Sequence, residues 1–291
     1  SINNSILILE IGKFNWRVRA ESDIIITIIH KEQENMNEIK NFDILICGEP
    51  TEDMYELKTI IDNLSEKICK MTELIIKYNG TPENASIEIP FWGRNVLESS
   101  LTCLLGRLDP FRLITVFKVQ LDPSYDLEKK AQSAVEWSGD ILAKNRDRNL
   151  WSFDNKKESF DRALLGNYVG EIIWKPGFRA LSDYMENKNT NSDWVNEILS
   201  ESEEGNFEKG KSMAGRMFSS FSKGVHSECL VDVHTMLDTV TLQGMIVDTY
   251  KLCATLGLVS HFVGFMSPTI DKERALNIFL SVEEMIGNVQ F

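Results

Sequence analysis

Residues 51–78 read TEDMYELKTIIDNLSEKICKMTELIIKY, and the spacing within this stretch decides the fold. Met54, Leu57, Ile61, Leu64, Ile68, Met71, Ile75 and Tyr78 recur at alternating steps of three and four, which places them along one side of an α-helix. A half-buried strand would instead need a step of two. Pro50-Thr51 supplies a start and Asn79-Gly80 a stop. The stretch is therefore expected to be a long helix with one packing stripe. That stripe must be covered by another helix, in this subunit or in a second copy.

Toward the N-terminus the period changes. Ser5–Ile11, Asn15–Ala20, Asp23–His30 and Asn41–Cys47 are short isoleucine-rich runs, and Ile24 to Ile29 is almost entirely β-branched. Such residues favour strands, so residues 1–50 are expected to form a small antiparallel sheet of three or four strands. Toward the C-terminus, helical patterns run over 92–108, 110–120, 126–146, 157–174, 178–187, 192–201, 207–231, 233–265 and 269–287. Asp109-Pro110 and Ser267-Pro268 each set a capping residue before a proline suited to a first helical turn. Segment 233–265 is apolar on most faces, as a central helix would be. The polar stretches 144–160 and 187–206 read as loops or boundaries. The predicted class is α+β, predominantly α-helical: a β-rich subdomain over 1–50 followed by a helical bundle over 51–291.

Composition narrows the function. With 43% hydrophobic and 26% charged residues in a chain of 291, a folded globular protein is expected. A formal charge of −13 argues against a general binder of nucleic acid or of anionic membrane. The five cysteines, Cys47, Cys69, Cys103, Cys229 and Cys253, include no C-x-x-C pair, so free thiols and no zinc site are expected. The run Ile6–Ile11 is too short for a signal peptide and lacks a basic lead. Leu252–Met266, interrupted by His261, falls short of a membrane span. A cytoplasmic protein is expected, and Asn84-Ala85-Ser86 would accept a glycan only in a secreted one.

Several short patterns could carry chemistry. Gly205 to Ser212 satisfies G-x-x-x-x-G-K-[ST], in which Gly210, Lys211 and Ser212 would hold phosphate and magnesium. Glu201, Glu203 and Glu204 precede it where an apolar strand should run, and they would repel a triphosphate. A solvated loop opening a helix is the plainer expectation. Met245-Ile246-Val247-Asp248 could pose as a magnesium-binding strand, but it lies inside a helical pattern. His234 and Asp238 stand one turn apart, after Asp232, which suits either two metal ligands or a histidine–carboxylate hydrogen bond. In segment 144–162, Lys144, Arg146, Arg148, Lys156, Lys157 and Arg162 interleave with Trp151, Phe153 and Phe160, a pattern that can stack and neutralise single-stranded nucleic acid. Asp147, Asp154, Glu158 and Asp161 dilute that charge. Arg94 and Glu98 read as an ion pair across one helical turn.

The remaining pattern is a polar helix face with Arg216, Ser222, Lys223 and His226. A bundle presenting arginine and histidine in this way resembles the HEPN superfamily, helical proteins common in bacterial antiviral and toxin systems. The resemblance covers residues 92–287 in helical character. It implies a metal-independent ribonuclease site assembled by dimerisation, with His226 as general acid–base and Arg216 stabilising the phosphorane charge. In catalytic members the arginine stands nearer the histidine than the ten positions found here. Ser219, Ser220 and Phe221 occupy the nearer positions.

Together these patterns make a non-catalytic helical interaction or accessory protein the leading expectation, in the setting of an antiviral defence system that the resemblance implies. It would bind a protein partner or a second copy of itself, with no cofactor, no metal and no membrane. A HEPN-like ribonuclease acting on RNA through Arg216 and His226 is the alternative, and a P-loop nucleotide-binding protein the third.

Overall fold

The computed structural model describes residues 39–125, 134–144, 162–225 and 237–291. Among these residues the protein is all-helical, with no strand. The expected α+β class is therefore corrected. Of the four N-terminal runs, Asn41–Cys47 is helical, within a segment described over 39–47 (α1). The other three runs lie outside the described residues. The β-branched bias of the run misled because burial decides its conformation. Ile39, Phe42, Leu45 and Ile46 are all buried, at positions i, i+3, i+6 and i+7, which suits a helix face and not a pleat.

The stripe helix forms as expected. A short 3₁₀ turn, Glu52–Met54, leads into α2, Tyr55–Ile76. Leu57, Ile61, Ile68 and Ile75 are buried, whereas Met54, Leu64, Met71 and Tyr78 are only partly covered. The buried line is turned toward Ile60 and Thr72. Thr72 is drawn inward because its hydroxyl accepts from the Tyr250 hydroxyl at 2.8 Å.

The covering helix is α3, Pro82–Leu108, which begins ten residues before the expected 92. Thr81 caps its first turn by accepting from Asn84 N, and Pro82 stands where a first-turn proline costs no hydrogen bond. Pro90 obscured this start, since proline usually ends a helix pattern, yet here it is buried inside one. α3 also packs on α4 (Pro110–Leu121), α7 (Glu203–Val225) and α8 (Thr239–Ser260). At Gly93 a Cβ would come within 2.6 Å of the Phe221 ring, so α3 and α7 approach closely only because that position lacks a side chain.

The expected helix over 126–146 is absent from its described part. Trp137–Ile141 is a wide turn with Ser138 and Gly139 outside helical geometry. It is held by Arg112, whose Nε and Nη2 donate to the two carboxylate oxygens of Asp140 at 3.0 and 2.7 Å. Helical turns Asn167–Val169 and Gly170–Trp174 then run into α5, Lys175–Met185, followed by α6, Asp193–Ser200. α8 is buried on most sides, as its composition suggested. α9, Lys272–Gly287, is capped by Asp271, which accepts from Glu273 N and Arg274 N, and not by Ser267, whose bond to Pro268 is cis. No helix of the described residues is long and apolar enough to cross a membrane.

Candidate functional site

The G-x-x-x-x-G-K-[ST] match lies inside α7, not in a loop. Ser202 caps this helix, its hydroxyl accepting from Gly205 N at 3.0 Å, so Gly205 to Ser212 form its first turns. Backbone N–H groups that a phosphate cradle would need are, beyond the first turn, directed at carbonyls one turn back. Gly210 faces Leu252, Lys211 Nζ donates to Asn167 Oδ1 at 2.8 Å, and Ser212 is exposed. Asp248, on α8, accepts from Arg216 Nη2 at 2.9 Å.

Arg216 is thus an exposed partner in a salt bridge between α7 and α8. His226 lies outside the described residues, as do Asp232, His234 and residues 145–161. Asp238 caps α8, accepting from Thr241 N at 2.8 Å, which lowers its carboxyl from the usual range.

One sequence-derived pair grows into a larger cluster. Arg94 Nε donates to Glu98 Oε1 at 2.9 Å, the turn-spaced pair expected on α3. Its Nη1 also donates to Ser222 Oγ on α7 at 2.8 Å. The guanidinium carbon sits 4.3 Å over the Phe218 ring, and Trp137 stacks on that ring at 4.2 Å, tilted by 11°. Arginine and tryptophan therefore take the two faces of Phe218. The arrangement clamps α3, α7 and the 137–141 turn through charge, hydroxyl and stacking.

A second cluster was missed in the sequence. Arg107, at the end of α3, is 1% exposed. Its Nε donates to Pro268 O at 2.8 Å, Nη1 to Ile46 O at 2.8 Å and to Ser260 Oγ at 2.7 Å, and Nη2 lies 3.3 Å from His261 Nδ1. Every one of these acceptors is neutral. Desolvation lowers the Arg107 pKa to about 10. Ile270 N also donates to His261 Nδ1 at 3.2 Å, while Nε2 lies 2.9 Å from Leu45 O. With Nδ1 accepting twice, the proton belongs on Nε2 and the ring is neutral. Burial, with Arg107 beside it, lowers the His261 pKa to about 3. The signal was a lone arginine in Leu101–Leu108 and a lone histidine in Leu252–Met266, each within an otherwise apolar run. Cys47 and Cys103 belong to the same region, with their sulfurs 3.2 Å apart.

A third buried group, Asp43, joins α1 to α2 through the Ser65 hydroxyl. Burial raises its carboxyl, against hydrogen bonds from Ser65 and Cys69 that lower it. Its Oδ1 has no partner among the described residues.

A surface depression of about 460 Å³ between α1 and α9 is lined by Asn41, Asp271, Glu273, Arg274, Asn277 and Ile278 among others. Its charges are already engaged: Arg274 forks onto Glu49 at 2.7 and 2.8 Å, and Glu273 pairs with Lys188. Among the described residues no three histidine, cysteine, aspartate or glutamate side chains gather to hold a metal.

The solvent-facing apolar residues are more distinctive. On α4, Phe111 is 80% exposed and Leu121 65%, with half-buried Ile114 between them on the same flank. Tyr55, 71% exposed, adjoins Glu56, which pairs with Lys118 of α4 at 2.8 Å. No family model, curated protein or solved structure matches the chain.

Proposed function

We propose that the chain is a non-catalytic helical interaction protein, engaging another protein or a second copy of itself through its helical faces. The observation that carries this reading is the apolar flank of α4, where Phe111 and Leu121 stand in solvent on a helix held to the core by buried Leu113 and Val116. Large apolar side chains clustered on one exposed helix are a recurrent mark of contact surfaces. Three polar groups among the described residues accord with it. Arg216, Lys211 and Arg94 are each engaged within the chain. Its setting, an accessory role in an antiviral defence system, rests on the HEPN resemblance.

Sedimentation across a wide concentration range, for the native chain and for Phe111→Ser/Leu121→Ser, tests the self-association form. The expected result is a native mass above 33.2 kDa that falls to the monomer in the double variant, with an unchanged melting temperature. A native chain that stays monomeric at every concentration would exclude that form. Incubation with RNA in EDTA tests the non-catalytic part. RNA is expected to stay intact, and cleavage that His226→Ala abolishes would replace this reading with the ribonuclease one.

A further inference from the structure

We propose that Cys47 and Cys103 are a redox pair: on exposure to hydroperoxide they join in a reversible disulfide that staples α1 to α3. The two sulfurs are 3.2 Å apart, and both side chains are buried, at 2% and 0% exposure. A disulfide requires them to close to about 2.05 Å, a movement of roughly 1 Å shared between two side chains. Both residues are free thiols in the reduced chain. Among the described residues, Cys69 and Cys253 form no such close pair with either of them.

The surroundings supply a reason for reactivity. Arg107 is one turn beyond Cys103 on α3, and it donates to the carbonyl of Ile46, the residue before Cys47. Its hydrogen-bond acceptors are neutral, so a thiolate formed at the pair would be the anion that this buried guanidinium lacks. The hydrogen bond between the thiols and their burial push the Cys47 thiol up, and Arg107 pulls against them. Attack is therefore slow and speeds up as pH rises.

The chemistry balances with hydrogen peroxide as oxidant. One thiolate attacks a peroxide oxygen, the O–O bond breaks, and hydroxide leaves to take up the proton that the thiol had released. The resulting sulfenic acid is attacked by the second thiol, forming the S–S bond and expelling water. In sum, two thiols and one peroxide give a disulfide and two waters. The bond would close a loop between residues 56 positions apart in the chain. At 2% and 0% exposure the pair excludes bulky disulfides, which leaves a small hydroperoxide as the class of oxidant proposed.

The test uses the reduced full chain, treated with hydrogen peroxide at pH 7 and 8.5, unfolded, and alkylated. The expected product has a mass lower by two hydrogens, a Cys47–Cys103 peptide pair on digestion, and full reversal by dithiothreitol. Its formation is faster at pH 8.5. Its melting temperature rises by roughly 5–15 °C, the scale that closing a loop of this length gives in a chain of this size. Hydrogen exchange of the amides over 39–47 slows in the oxidised form. Cys47→Ser and Cys103→Ser each abolish the product, and the pairing in the native chain stands as evidence even if a variant fails to fold. Both thiols remaining alkylated, a bond to another cysteine, or a stable oxygen adduct without the cross-link would each overturn the proposal.

Discussion

Arg107 exchanges water for Pro268 O, Ile46 O, Ser260 Oγ and His261 Nδ1, none of which carries charge. Arg107→Met would keep most of the stem but take the guanidinium donor from Pro268 O, Ile46 O and Ser260 Oγ, and one of two donors from His261 Nδ1. A buried acceptor left without its donor costs about 1–3 kcal/mol, so urea unfolding of the variant should show a loss of at least that size. His261 makes the same cluster sensitive to acid. Its folded pKa, about 3, lies below the usual 6.5, so the unfolded chain takes up a proton that the folded chain refuses. The contribution is whole above pH 6.5 and drains away as pH falls toward 3, at about 1.4 kcal/mol per unit. Between pH 7.5 and 5 the native chain should lose about 2 kcal/mol that His261→Asn does not lose, measured by urea unfolding at both values. Neither residue was singled out in the sequence as part of a cluster. Arg107 and His261 are 154 positions apart, and only the packing of α3 against the end of α8 brings them together.

At the scale of elements, legibility followed period and length. α2 was plain because eight apolar positions keep one spacing over several turns, and no tertiary contact had to override it. Ile68, fully buried in the middle of that line, should cost about 2–5 kcal/mol on replacement by alanine, read as a shifted urea midpoint with an unchanged slope. α1 was misread because a run of seven residues holds too few turns to show its period, and isoleucine alone pointed to a strand. α3 was cut short at Pro90, whose missing N–H the helix tolerates. The candidate site suffered from the same limit. Arg94–Glu98 was legible as a pair on one helix, whereas Ser222, Phe218 and Trp137 come from two other segments and could not be inferred from spacing. The match at Gly210, Lys211 and Ser212 shows the converse, since the letters fit a phosphate loop while the backbone is helical. Asp238→Ala should destabilise the fold slightly through loss of the α8 cap, seen as a small drop in melting temperature.

Across the whole molecule, one core runs from α1 to α9, with α3 at its centre touching α2, α4, α7 and α8. The apolar flank of α4 lies outside that core, so Phe111→Ser/Leu121→Ser should change association without changing stability, which separates a contact surface from a packing defect. The position of Arg107 has a further consequence, during synthesis. Its acceptors Ser260 and Pro268 are translated 153 and 161 residues later. A nascent chain that has already made α1 to α4 still carries a guanidinium with nowhere dry to go. The ribosome must finish α8 and the turn beyond it before the centre of the molecule can close. Until then the sides of α3 that α7 and α8 cover stay open, and a product released before Pro268 is expected to be cut by protease faster than the full chain.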